Sequence, residues 1–347
     1  MIELPHKVLG YSCPINGLED QYEWKTGVRL PGYCLMDLAT LGFTYIKQKN
    51  APAPRMVFWG NGMGKPLFNF LADVIGFEWS FTENKSFQSA WQSALNSLEL
   101  GLPVILGQLD MYHLPYYPKF YHKIHIPQHY VLLVGTDDER KTALVQDNGL
   151  AGIQPIPLED LKEAWNVRVP GQGKPNTLYT LKFNQRPADL EVIWRRALKK
   201  RARLFLEPPV GFLGLRGMKK AQKEISVWVD ELDIQAWEES LRSLATFTCS
   251  VVPNLPQALL PYPLGYEDPH HACRDRFAKE LTSASETYHE KTWAKAANLF
   301  QESGVQIGRL TELACMALSG KPDAFRDASE IMKQIITFEE EAFKILN

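Results

Sequence analysis

A chain of 347 residues, 45% hydrophobic and 22% charged, is long enough to bury two cores and has the composition of an ordinary globular protein. Its formal net charge of −2 excludes a general nucleic-acid binder, which needs a basic footprint. No apolar run approaches the roughly 20 residues of a membrane span, and residues 1–10 lack the charged start and apolar core of a signal peptide, so a cytoplasmic protein is expected.

Residues 11–24 predict a helix: Ser12 is a candidate cap, Pro14 stands at the first helical position, and Ile15, Leu18 and Tyr22 recur at helical spacing. Cys13 then lies at a helix N-terminus, where the dipole and unpaired N–H groups favour a thiolate and can hold an oxyanion. The alternative is a small buried hydrophobe, which suits Cys34 better because its neighbours are apolar. The remaining cysteines, Cys249, Cys273 and Cys315, complete no CxxC pair and no even disulfide framework, which predicts reduced thiols.

Residues 43–46 and 56–59 read as short strands. The segment Gly60-Asn61-Gly62-Met63-Gly64-Lys65-Pro66 is no phosphate loop, because three residues separate Gly60 from Gly64 and Pro66 replaces the required Ser or Thr. It is expected to turn a strand into a helix over 67–75. A further helix over 86–100 ends at Gly101 and feeds a buried strand over 103–107 that leads to Asp110. Residues 111–127 form a long loop with Tyr112, Tyr116, Tyr117, Phe120 and Tyr121, of a length that tends to carry function. Its histidines lack metal-binding spacing, so no metal site is expected. Asp110 either binds a cationic amine or caps this loop.

Residues 130–134 and 142–145 are rich in β-branched residues and flank the polar turn 136–140, predicting a β-hairpin. A turn centred on Asp138 places His129 directly opposite Asp147. A carboxylate that fixes an imidazole makes it a general base, although polar hairpin ends can also meet without chemistry.

After the Pro/Gly-rich linker 170–176 and a last strand over 177–183, the pattern turns helical, over 188–206, 219–232, 235–247, 275–302, 306–318 and 325–346, with an ordered Pro-rich loop at 253–269. A boundary near Gln185 is expected, giving domains 1–185 and 186–347. On the first of these helices Arg195, Arg196, Lys199, Lys200, Arg201 and Arg203 concentrate positive charge, which suits an acidic carrier protein or simply a solvated face.

A cysteine at an early helix start, followed by His129 and Asp147 on later adjacent strands, is the order of papain-like cysteine enzymes. At Ser12-Cys13 with its helix, LMDLATLGFTYIK, GLPVILGQLDMYHLPY, QHYVLLVGTDD and VQDN, the chain resembles the butirosin biosynthesis protein H N-terminal domain, itself similar to bacteriocin-processing C39 peptidases. CRDRFAKELTSASE resembles the helical domain that follows it. Three features depart from the pattern: Ser12 replaces a His before the cysteine, Ala272-Cys273 replaces a Gly pair before Arg274, and no Gln shortly precedes Cys13.

The resemblance implies an α+β fold, with a papain-like helix and antiparallel sheet followed by a mostly α-helical domain. It implies an acyltransferase with Cys13 as nucleophile, His129 as base and Asp147 as its orienting carboxylate. An acyl or aminoacyl group would pass from a carrier-protein or CoA thioester to a small amine, with no cofactor beyond the donor's phosphopantetheine. Asp110, Tyr112, Tyr116 and Arg274 are the candidate substrate-binding residues, and Arg195, Arg196, Lys199 and Lys200 the candidate carrier-docking residues. A cysteine peptidase or amide hydrolase, and a non-catalytic binding or scaffold protein, are the alternatives. Neither nucleic acid nor membrane is an expected partner, and the oligomeric state is open.

Overall fold

A computed structural model describes residues 1–8, 13–51, 53–60, 64–169, 173–245 and 271–347. The chain divides into two compact units, one of residues 1–36 with 62–190, the other of residues 37–61 with 191–347. The expected boundary at Gln185 lies close to the border at Leu190, but residues 37–61, assigned in the sequence reading to the first domain, are part of the second unit. The candidate loop 253–269, Ser12 and Cys249 lie outside the described residues.

The elements are, in chain order, α1 (Cys13–Thr26), α2 (Gly32–Thr40), β1 (Thr44–Lys47), β2 (Arg55–Phe58), α3 (Lys65–Leu71), β3 (Glu78–Thr82), α4 (Phe87–Glu99) and β4 (Val104–Leu109). There follow β5 (His129–Asp137), β6 (Thr142–Asp147), β7 (Leu150–Pro157), α5 (Leu158–Trp165), β8 (Leu178–Lys182) and α6 (Leu190–Leu206). The remainder is helical: α7 (Gly214–Glu224), α8 (Trp228–Glu231), α9 (Ile234–Ala245), α10 (Arg274–Thr287), α11 (Lys291–Leu318) and α12 (Ala328–Leu346). This is an α+β chain whose second part is mostly helical, as the sequence predicts.

The first unit is built on an antiparallel sheet of order β3-β8-β4-β5-β6-β7. β4 lies inside it with every residue buried, which is why its sequence is a continuous apolar run rather than an alternating one. Pro155 and Pro157 are confined to β7 at the sheet edge, where a missing N–H breaks no ladder. One face packs Val131, Leu133 and Val145 against Trp91 and Trp165 from α4 and α5. On the other, α1 approaches so closely that a Cβ on Gly17 would lie 3.2 Å from Ile105 and 3.5 Å from Leu132. Residues 14–22 of α1 are all buried, including Glu19 and Asp20, which pair with Arg29 at 3.3 and 2.8 Å. A helix enclosed on every side carries no clean apolar stripe, and its sequence periodicity is correspondingly weak.

The second unit contains the two-stranded β1-β2 sheet and packs α10, α11 and α12 together. Its helices are cut differently from the sequence expectation. The break falls at Tyr288-His289-Glu290, with His289 in the left-handed region at φ 55°, and α11 runs unbroken through Gly304. Gly304 is there for close approach: a Cβ would collide with the Asp275 side chain and lie 3.4 Å from the Cβ of Arg274. Glycine inside a helix thus marked a crossing, whereas the true break carries no glycine.

Candidate active site

β5 and β6 are joined by the four residues 138–141, closed by the pair Asp137↔Thr142, with Lys141 in the left-handed region at φ 50°. A turn of this length sets an odd register, which continued to the strand ends would put His129 and Asp147 on opposite faces. A bulge at Val134 corrects it: Gly135 pairs with Leu144, but Leu133 pairs with Val145 and Leu132 with Gln146. Continuing that ladder places Asp147 opposite Val131. His129 and Asp147 are therefore diagonal rather than directly opposed, and they share a face because the two-residue offset preserves side-chain alternation. The predicted register was wrong by the turn length and the bulge together, while the predicted contact exists.

His129 Nε2 lies 2.6 Å from Asp147 Oδ2, with Asp147 fully buried and His129 7% exposed. Asp147 accepts three more hydrogen bonds, from Tyr116 Oη (2.9 Å), Tyr117 Oη (2.6 Å) and the backbone N–H of Gly149 (3.2 Å). Burial alone would raise its pKa, but His129 and these donors hold the carboxyl below the ordinary value. Burial likewise pulls His129 down, yet the Asp147 charge and the neighbouring Cys13 outweigh it and push the imidazole up to about 10. His129 is thus an imidazolium at neutral pH.

Nε2 being engaged by Asp147, the nitrogen left for Cys13 is Nδ1, and Cys13 lies near enough to His129 to contribute to its raised pKa. Cys13 is the first residue of α1, half-exposed, with Sγ 4.0 Å from the carbonyl of Gln128. The chain thus gathers a half-exposed thiol, an imidazolium and a buried carboxylate from α1, β5 and β6. Tyr117 closes the rear, its ring edge-on to His129 at a centroid distance of 5.7 Å.

Other candidates lie elsewhere. Tyr116 donates to Asp147 and so belongs to the carboxylate's support rather than to a substrate contact. Asp110 caps the loop: its carboxylate accepts from the N–H groups of Tyr112 (3.1 Å) and Ile126 (2.9 Å) and lies 2.6 Å from His125 Nδ1. Of the two readings of Asp110, the cap is the one realised, with three of the carboxylate's roughly four acceptor sites taken by the loop. Tyr112 stacks on His125 at 4.1 Å between centroids, with His113 edge-on to it. Among the described residues no group of three or more His, Cys, Asp or Glu could hold a metal ion, and no helix is long and apolar enough to cross a membrane.

Arg274 is no substrate-binding residue. Fully buried in the second unit, it makes a two-pronged ion pair with Glu339 (2.8 and 3.1 Å) and donates to the carbonyls of Gly42, Trp59 and Ala272. All its donors are consumed in packing. On α6, Arg195, Arg196 and Lys199 are exposed and Lys200 half-exposed, but Arg201 is buried against the carbonyls of Leu38 and Ala39. Arg195 is engaged by Glu191 (2.8 Å) and Glu290 (3.1 Å) and lies over Trp293.

Tyr117 is a site residue that the sequence offers only as one aromatic among several in the long loop 111–127. Its signal was faint: the turn glycine Gly149, where a Cβ would lie 2.7 Å from the Tyr117 hydroxyl. Residues 13–148 match the family model described as Butirosin biosynthesis protein H, N-terminal, and residues 159–249 match that described as Domain of unknown function (DUF4872). No curated protein matches the chain.

Proposed function

From a chain that belongs to the butirosin biosynthesis protein H-like family, we propose a cysteine-dependent acyltransferase that moves an acyl or aminoacyl group from a carrier-protein or CoA thioester to an amine through an acyl-Cys13 intermediate. The family implies a biosynthesis-related enzyme of acyltransferase kind, and the cysteine chemistry is our reading of the site. The observation that carries it is the His129–Asp147 pair at 2.6 Å, with the second imidazole nitrogen left for Cys13.

The attacking species is a thiolate, which an adjacent imidazolium stabilises. Sγ of Cys13 adds to the thioester carbonyl, and the oxyanion faces the first turn of α1, where Cys13 and Ile15 supply N–H groups and Pro14 has none. The carbon–sulfur bond to the donor breaks and the departing thiolate takes the proton of His129, leaving acyl-Cys13 and a neutral imidazole. An amine then attacks, His129 removes its proton, and cleavage of the carbon–Sγ bond restores thiolate and imidazolium. Asp147 stays ionised throughout and fixes the ring. Arg196 and Lys199, exposed on α6, are the proposed anchor for an acidic carrier.

Incubating the protein with a panel of acyl-phosphopantetheine and acyl-CoA thioesters, followed by mass spectrometry, tests the proposal. An acyl adduct on Cys13 that amines discharge to amide is expected. Release of free acid with no dependence on any amine would replace transfer by hydrolysis, and absence of an adduct across the panel would leave a binding protein.

A further inference from the structure

Residues 1–8 form a strap fastened to each element that carries a member of the site. Ile2 N–H donates to the carbonyl of Val134, the bulged residue of β5, at 2.7 Å, and Met1 packs where a Cβ on Gly135 would lie 2.9 Å away. Gln146 of β6 donates to the carbonyl of Leu4 at 3.2 Å. Asn16 of α1 donates to the carbonyl of Lys7 at 2.9 Å. Between the last two attachments, His6 spans the first unit's helix and sheet: Nδ1 lies 2.7 Å from Asp20 of α1, and Nε2 lies 3.0 Å from the carbonyl of Leu150, the first residue of β7 and the ladder partner of Asp147.

Both nitrogens of His6 therefore face acceptors, and a ring with two acceptors is held as the imidazolium, since a neutral imidazole can donate only once. From α1 the ring meets Asp20, itself paired with Arg29, which also binds Glu19 and Glu23. From the sheet it meets only carbonyls, those of Leu150 at the start of β7 and Asp147 at the end of β6. Burial opposes the charge, but Asp20 and these carbonyls more than offset it, so His6 titrates above its ordinary 6.5.

On the reading of Cys13, His129 and Asp147 as the reacting groups, we infer that His6 is a positioning residue whose imidazolium fixes the helix bearing Cys13 against the hairpin bearing His129 and Asp147. Loss of its proton removes one of the two donors, so His6 then holds either Asp20 of α1 or the Leu150 carbonyl and no longer bridges the two. The sign follows: the clamp is complete below pH 6.5 and weakens as pH rises through the raised value.

The test uses the full chain as wild type, His6→Ala and His6→Gln, the last keeping a polar side chain without a titrating charge. Two readouts are followed between pH 5.5 and 9: the rate of Cys13 acylation or alkylation, and the 15N shifts and titration of the His129 ring. At pH 6 both variants should react about tenfold more slowly than wild type, with the difference narrowing as pH rises and wild-type His6 loses its own proton. The His129 resonances should move in the variants at pH 6 and draw closer to wild type as pH rises. Unchanged Cys13 rate and His129 shifts in a folded His6→Gln protein would overturn the inference, as would a deficit independent of pH. If Cys13 accepts no acyl group even in wild type while His129 still shifts in the variants, the acyltransferase reading fails and the clamp stands.

Discussion

His129 Nε2 and Asp147 Oδ2 approach to 2.6 Å although the two residues are offset by two positions along the β5–β6 ladder. The contact depends on two irregularities, a four-residue turn and a bulge, each of which alone would turn one side chain to the wrong face. Bulges beside catalytic groups re-aim side chains in this manner.

Replacing Asp147 with Asn should remove the larger of the two influences that hold His129 up at about 10 and lower its pKa, leaving burial opposed by Cys13 alone. Cys13 acylation at pH 7.5 should slow by about 100-fold or more. NMR titration of the ring, combined with the pH profile of Cys13 alkylation, checks both halves. An imidazolium that survives to pH 9 in Asp147→Asn would mean that Asp147 is not its main partner. In wild type, the stability contributed by this raised pKa is complete below 6.5 and is lost as pH rises through about 10, which chemical denaturation across that window would register.

Tyr117→Phe removes the 2.6 Å donor to Asp147 Oδ1. A hydrogen bond to a buried charge is worth about 1.5–3 kcal/mol, so acylation should slow roughly 10–100-fold if the whole effect reaches the transition state. Gly149→Ala attacks the same contact from the other side, because its methyl would lie 2.7 Å from that hydroxyl. The two changes should be non-additive in a double-mutant cycle. Additive effects would show that Gly149 acts through the turn alone.

Much of this arrangement was legible in the chain. Cys13 ahead of Pro14, and His129 and Asp147 at the ends of a β-branched hairpin, announce themselves through local chemistry, and the strands and helices follow apolar period. The exact register was not legible, because the mark beside the bulge at Val134 is Gly135, which reads equally well as the approach to the polar turn. Nor were the partners of Asp147, since Tyr116 and Tyr117 reach it only through the path of a long loop. Arg274 and Arg201 illustrate the opposite error: arginines on helices read as binding groups, yet backbone carbonyls exposed at loops and at the end of α2 recruit them inward.

Arg274→Met should act on stability and not on substrate. Removing it leaves Glu339 buried with Ser303 as its remaining donor and strips partners from three carbonyls. Breaking a buried pair in this way costs about 3–5 kcal/mol. Denaturant titration should show that loss, while the donor KM measured on folded protein stays within about twofold of wild type. A raised KM at unchanged stability would return Arg274 to the substrate site.

Asp110 separates loop support from acceptor binding. Its carboxylate gathers the N–H groups of Tyr112 and Ile126 and the ring of His125, pinning both ends of the loop that delivers Tyr116 and Tyr117 to Asp147. Asp110→Ala leaves two backbone donors without their acceptor, a loss of about 1–3 kcal/mol each if they stay buried. The loop should loosen and the two tyrosines should lose their hold, so acylation of Cys13 should slow even before any amine is added. Asp110→Asn keeps an acceptor oxygen for Tyr112 and Ile126 and should fall between wild type and Ala. A stopped-flow measurement of acylation against amine-dependent discharge decides the matter. A raised amine KM with acylation intact would place the acceptor against Asp110 and remove the loop-cap account of its function.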